Sequence, residues 1–331
     1  MTPVLDAREL GRLGLALDLR ALRAIRDAFA LRVKEGCARE GCEVPMLPAW
    51  LAPPSQGLTG EALAVDAGGT NLRAARVRVD AWGAHRIGPL TTLPLPGAAG
   101  RAPASAAAFF DAHVEVLRAA GAEPGLPLGY CFSYPIESRP DGDARLIRWT
   151  KEVAVADMEG RFVGGALREA LAAAGLAPGP VVVLNDTIAA LMGGAAVAAG
   201  DPGRAIGLIV GTGTNMGAFL PARALPKLGA AGEGWDRMAV NFESGAFAPP
   251  GLLPADADVD VGTDSPGAQR FEKAVSGAYL GLVYAAAARR LGVPVPHEAS
   301  TKQVSALALG QEGPAQRLAR ALLDRSADLV A

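Results

Sequence analysis

Residues 63–75 read Leu-Ala-Val-Asp-Ala-Gly-Gly-Thr-Asn-Leu-Arg-Ala-Ala. A short apolar strand runs here straight into an acid, two glycines, a hydroxyl and an amide. Paired glycines let the backbone bend sharply and turn its N–H groups toward an anion, which is what a phosphate-holding turn requires. Asp66 stands at the strand's end, where a carboxylate can hold a metal ion or its water beside such phosphates. A Gly-Gly turn is equally an ordinary hairpin signal, so the stretch taken alone leaves both readings open.

A second unit, Ile206-Gly207-Leu208-Ile209-Val210-Gly211-Thr212-Gly213-Thr214-Asn215, echoes the first. Short apolar runs predict strands at 62–66, 73–79, 127–132, 180–184 and 205–210. Helical spacing predicts helices at 5–35, 106–120, 161–174, 187–199, 270–291 and 313–330. This alternation argues for an α/β architecture.

The chain has 331 residues, half of them hydrophobic, with a formal net charge of −2. That length supports two lobes and a large core, and the composition argues against disorder. No basic footprint for nucleic acid is present. Charged residues interrupt the apolar stretch 13–33, which reads as an amphipathic helix and not as a membrane span or secretory signal. Cys37, Cys42 and Cys131 fit neither a paired disulfide framework nor a four-ligand zinc site, so a cytoplasmic setting is expected. His85, His113 and His297 stand apart from any nucleophile or ligand spacing and read as structural or surface residues.

The neighbours of the first turn narrow its meaning. Met46-Leu47-Pro48-Ala49-Trp50 precedes it. Phe132-Ser133-Tyr134-Pro135, Trp149-Thr150-Lys151, Asn185-Asp186-Thr187, Gly211-Thr212-Gly213-Thr214-Asn215 and Asn241-Phe242-Glu243-Ser244-Gly245-Ala246-Phe247 follow it. In this order and at these spacings the chain closely resembles the eukaryotic-type hexokinase and glucokinase family over nearly its whole length. The resemblance implies a two-lobed actin-like ATPase (ribonuclease H-like) α/β fold with a cleft between a small and a large lobe. It assigns residues 1–55 to an N-terminal helical part of the large lobe, 56–186 to the small lobe and 187–331 to the large lobe.

It further implies a glycolytic kinase, with ATP-dependent phosphorylation of a hexose, glucose first, at its 6-hydroxyl and Mg²⁺ bridging the phosphates. Asp186 would be the base that accepts the hydroxyl proton, and Lys151 would steady the transferring phosphoryl group. A sugar presents many donor–acceptor hydroxyls, and the matching contact positions are Ser133, Thr150, Lys151, Asn185, Asp186, Asn215, Glu243 and Glu272. For the nucleotide the matches are Asp66, Gly68, Gly69, Thr70 and Asn71, then Gly211, Thr212, Gly213 and Thr214, then Thr301 and Ser305. Asp66 would meet the metal through water. Hexose and ATP are the expected partners, without nucleic acid or membrane; oligomeric state is open.

Plainer readings stand beside several of these. Asp186 also reads as a helix cap, Glu272 in Phe271-Glu272-Lys273 as a solvated helix face, Lys151 as a surface cation, and Ser300 or Thr301 as a cap. Lys151 is one of only five lysines against 27 arginines. Three departures from the family pattern are visible. Ser244 follows the glutamate where tryptophan is usual, and Leu282 stands where an acid is usual. The chain is also shorter than the family's catalytic unit by about one domain of ~100–150 residues. The C-terminal helix is therefore expected to bare its apolar face, including Leu318, Leu322, Leu323 and Leu329. The rival functions are a sugar-sensing or regulatory protein or an inactive fragment, and an actin-like structural protein. The absence of a cysteine-rich cluster disfavours the bacterial sugar kinases that carry one.

Overall fold

A computed structural model describes residues 5–55, 59–80, 83–150, 152–197, 201–295 and 299–331. The chain runs α1 (Ala7–Arg12), α2 (Leu19–Ala38), β1 (Leu47–Pro48), β2 (Gly60–Ala67), β3 (Asn71–Asp80), β4 (Gly83–Arg86), β5 (Thr91–Pro94), α3 (Ala106–Ala119), β6 (Leu128–Phe132), β7 (Ile136–Ser138), β8 (Ala144–Leu146) and α4 (Val163–Ala173). It continues through β9 (Val181–Leu184), α5 (Asp186–Val197), β10 (Ile206–Val210), β11 (Thr214–Pro221), β12 (Arg237–Asn241), α6 (Pro254–Val261), α7 (Arg270–Val275), α8 (Leu280–Leu291), α9 (Thr301–Ala308) and α10 (Pro314–Val330).

Two sheets organise these elements. The first has the order β4-β3-β2-β6-β9, with β5 also on β3; β2, β6 and β9 run parallel. Burial alternates along Leu128–Phe132, so Leu128, Tyr130 and Phe132 point inward, where Phe109, Leu117, Val163 and Leu167 of α3 and α4 cover them. His113 of α3 is buried in this core. A carbonyl only accepts, so its Nδ1–H donates to the Phe109 carbonyl (2.8 Å) and its Nε2 accepts from the Tyr130 hydroxyl (2.8 Å). Burial drops its pKa to about 4 and keeps it neutral.

The second sheet has the order β1-β12-β11-β10. Leu47 and Pro48 pair with Asn241 and Val240, so the N-terminal segment joins the later half of the chain. Ile25, Cys37, Val44 and Met46 share a core with Met238, Val240 and Phe271. On the other face α5 lies directly on the sheet, with Ile188, Leu191 and Ala195 against Phe219 and Ala239. Glycine at 207 permits this approach: a Cβ there would stand 2.9 Å from the Thr187 carbonyl and 2.8 Å from Leu191 Cβ. The helix thus leaves the first sheet and rests on the second, which puts its first residue, Asp186, between them.

Three expectations change. The segment 5–35 is two helices, because Gly14 turns the chain with φ +72°. The segment 270–291 is also two helices: Ser276 is extended, and the next N–H groups, of Gly277 and Ala278, leave the helix to bond the Gly211 and Thr212 carbonyls at 2.7 and 3.1 Å. The C-terminal helix does not bare its apolar face. Leu318, Leu322 and Leu329 are buried and Leu323 packs beside them, because α10 is wrapped by α6, α8, α9 and α2. Exposed apolar surface lies instead on β10, the edge strand of the second sheet, at Ile206, Leu208 and Val210. Among the described residues no helix is long and apolar enough to cross a membrane.

Candidate functional site

Parallel strands that end together gather their following residues at one edge, where α/β sheets bind ligands. Here β2 ends at Asp66-Ala67, β6 runs on into Ser133, and β9 runs on into Asn185-Asp186. The register places Asp66 beside Cys131 and Cys131 beside Leu184, and the Ser133 N–H bonds the Ala67 carbonyl at 3.2 Å. Burial, with Asp66 and Asp186 nearby, pushes the Cys131 thiol up to about 12, so it remains protonated and inert.

The first glycine turn is a hairpin turn. It closes the β2–β3 hairpin, with the Gly68 N–H on the Asn71 carbonyl at 3.1 Å. It also stands at that same edge, tied down by the Tyr134 hydroxyl, which donates to the Gly68 carbonyl. Thr70 is exposed and its Oγ1 accepts from Asn71 Nδ2 at 3.0 Å. Asp66 is half-exposed and its Oδ2 accepts from Arg73 at 3.1 Å. Thr150 follows Trp149, which is wedged among Phe109, Phe132 and Tyr134 and donates its ring N–H to the Val155 carbonyl. Lys151 lies outside the described residues.

Asp186 opens α5. Its Oδ1 accepts from the Thr187 backbone N–H at 2.7 Å and from the Thr187 hydroxyl at 3.3 Å; Asn185 Oδ1 accepts from the same N–H at 2.9 Å.

From the second sheet come Asn215, at the start of β11, and Glu243, two residues past β12. Glu243 holds a left-handed backbone (φ 55°, ψ 44°), rare for a residue with a side chain and a mark of a constrained site. Its Oε1 accepts from Asn241 Nδ2 at 2.7 Å and from Asn215 Nδ2 at 3.5 Å. Burial holds the Glu243 carboxyl above the usual carboxylate range; Asp186 and Glu272 push the same way, and the amide donors of Asn241 and Asn215 pull against them.

Glu272 is no solvated helix face: its Oε2 accepts from the Thr214 N–H at 3.0 Å, and a Cβ on Gly213 would stand 2.5 Å from that oxygen. Within the second turn the Gly211 N–H bonds the Gly213 carbonyl at 2.9 Å, and Thr212 is exposed. Thr301 Oγ1 donates to the Gly277 carbonyl (2.7 Å) and accepts from the Gly281 N–H (3.2 Å), so it braces the segment that holds this turn. Ser300 is the cap of α9, in a capping box with Gln303. Ser305 is partly buried one turn along.

Sequence reasoning missed two residues. Asn241 sat in a quoted motif as a strand end, and only its bonds reveal its place. Gln269 is left-handed (φ 52°), and a Cβ on Gly245 would stand 2.7 Å from its Oε1. No sequence signal distinguishes it. Two open cavities lie elsewhere: one of about 460 Å³ beside Arg139 and Phe162, one of about 570 Å³ between α9 and α10.

The arrangement is a cluster of carboxylates and amides around Glu243, of the kind that suits a polyhydroxylated ligand, with one glycine turn bonded to Glu272 and the other at the strand edge that leads to Asp186. Among the described residues no three His, Cys, Asp or Glu side chains converge to cage a metal. Mg²⁺ keeps most of its water and asks for one or two carboxylates plus phosphate oxygens, so Asp66 fits as a partner of metal-bound water.

Sequence models of a family described as hexokinase match residues 13–196 and 205–292. Hexokinase-2 of Candida albicans is 33% identical over 282 residues, covering 79% of this chain and 56% of that protein. Human Hexokinase-3 is 34% identical over 270 residues, covering 79% of this chain and 28% of that one. The chain thus spans about half, or less, of these relatives. Among solved structures, a hexokinase from Schistosoma mansoni complexed with glucose superposes with a TM-score of 0.75 at 23% identity. That match covers 97% of this chain and 81% of the other, and it shows the shared actin-like ATPase fold.

Proposed function

This chain belongs to the hexokinase family, and from that premise we propose that it transfers the terminal phosphoryl group of ATP to the 6-hydroxyl of a hexose, glucose first. The observation that carries the reading is the meeting of Asp186, which follows the first sheet at the head of α5, with Asn215 and Glu243 at the end of the second sheet and Glu272 of α7. Ring hydroxyls bond to the amides and carboxylates of Asn185, Asn215, Glu243 and Glu272, with Ser133 and Thr150 completing the circle. Asp186 takes the proton of the attacking hydroxyl, for a carboxylate within reach of a weak nucleophile is what phosphoryl transfer needs.

Lys151, from the family pattern, steadies the transferring group. The Gly68–Asn71 and Gly211–Thr214 turns hold the phosphates, with Thr301 and Ser305 near the ATP. Mg²⁺, when bound, neutralises phosphate charge, and Asp66 holds its water. Closure of the two lobes on the sugar excludes water and protects ATP from hydrolysis. A cytoplasmic setting agrees with three free cysteines.

The test is a coupled ADP-release assay on the purified chain with ATP, Mg²⁺ and glucose, mannose or fructose, paired with calorimetric titration of each sugar. Hexose-dependent ADP release is expected. Sugar binding without turnover would replace the reading with a sensor, and neither binding nor turnover would remove it.

A further inference from the structure

The amides around Glu243 form one directional chain. A carboxylate only accepts, so Asn241 must present Nδ2 to Glu243 Oε1 (2.7 Å) and therefore Oδ1 to its other neighbour, Asn215 Nδ2 (2.8 Å). Asn215 is then left with Oδ1 facing the backbone N–H groups of Met216 (2.8 Å) and Ser244 (3.2 Å), which can only donate. Every orientation is thus fixed from both ends, and bonds in such a series strengthen one another. Asn241 is 7% exposed and pinned in the middle of the second sheet, opposite Leu47 and Gly217. It is the rigid member; Glu243, on a left-handed backbone past the strand, is the member that needs holding.

We propose that Asn241 is a positioning residue for hexose recognition: its amide locks the Glu243 carboxylate and the Asn215 amide into one fixed acceptor–donor pair. The inference rests on the hexose reading above and adds to it a residue that touches no substrate. Its second consequence concerns charge. The groups facing Glu243 are Asp186 at the head of α5, Glu272 of α7, Asn215 and Asn241. The two acids oppose its ionisation, and the amide donors sustain it. Removing the Asn241 donor therefore lets Glu243 protonate at higher pH, with loss of its acceptor role.

The experiment compares Asn241→Asp and Asn241→Ala with the unaltered chain in glucose calorimetry and in steady-state phosphorylation from pH 5 to 9. Asn241→Asp keeps the shape and turns the donor into a repelling carboxylate. Expected is a 10-fold to 100-fold weaker glucose affinity in both variants, on the order of one charged hydrogen bond. KM should rise more than kcat falls, and the acidic limb of kcat/KM should move to higher pH in Asn241→Asp. Glucose affinity and pH limb unchanged in folded variants would overturn the positioning role and leave the hexose reading standing. Equal losses at all pH values that track melting temperature would overturn it too. An unaltered chain that binds no hexose would remove both.

Discussion

Oδ1 of Asp186 accepts the Thr187 backbone N–H at 2.7 Å. The cap of α5, however, is Asn185, whose Oδ1 meets the same N–H at 2.9 Å and whose carbonyl accepts from Ala189. Asp186, the first residue of the helix, is the proposed base. Both Thr187 bonds to Asp186 fall on one of its oxygens. Asp186→Asn preserves an acceptor for the Thr187 N–H and removes the base. We expect kcat to fall on the order of 10²–10⁴-fold with glucose affinity and melting temperature nearly unchanged. Asp186→Ala should add a loss of about 1 kcal/mol in stability through the lost Thr187 bonds. Near-normal turnover in Asp186→Asn would take the residue out of the chemistry.

Two alanine substitutions, one under α5 and one on its outer side, should act oppositely. On Gly207 the new methyl would press on Leu191 and the Thr187 carbonyl, forcing α5 off its sheet, whereas on Gly193 of α5 it would meet nothing within 4 Å. Gly207→Ala should cost about 1–3 kcal/mol and disturb turnover through Asp186. Gly193→Ala should gain about 0.5–1 kcal/mol from helix propensity. Denaturant melts of both variants check the pair; two changes of the same sign would contradict the packing described.

Arg325 of α10 and Asp256 of α6 form a buried pair at 2.7 Å, and Asp256 also accepts the Leu253 N–H. Asp256→Ala strands a buried guanidinium and should cost about 3–5 kcal/mol. The double variant Asp256→Asn with Arg325→Met should lose less than the sum of the two single losses, measured as a double-mutant cycle.

Acid should weaken the first lobe through His113. Its folded pKa is about 4 against 6.5 unperturbed, so the unfolded chain binds the extra proton between those values. Stability is therefore held above about pH 6.5 and lost as pH falls toward 4, on the order of 3 kcal/mol in all. His113→Gln should flatten that limb in denaturant titrations; an unchanged slope would show that other groups carry it.

The apolar β10 face predicts association. Ile206, Leu208 and Val210 project from an edge strand whose outer side pairs with no other strand among the described residues. Leu208→Glu should lower light scattering at high concentration while the fold persists.

Legibility followed locality. Strand ends that carry their own motif, Asp66 to Asn71 and Asn185 to Thr187, could be read directly, since chain and chemistry coincide there. The division of 270–291 could not, because what stops α7 is the carbonyls of Gly211 and Thr212, some sixty residues away in sequence. Glu272 looked ambiguous for the same reason: its partner is Thr214. The apolar stripe of α10 was legible as a stripe, but its partners come from α2, α6, α8 and α9, and no local pattern announces them. Asn241 and Gln269 acquire meaning only through side chains brought to them by folding.

The hairpin at 211–214 is gripped twice by one short stretch of chain, by Glu272 at Thr214 and by Gly277 at Gly211. Residues 272–277 therefore span the two ends of that turn. A shift of this stretch would be felt at both ends of the hairpin at once, and the Thr301 hydroxyl on the Gly277 carbonyl opposes such a shift.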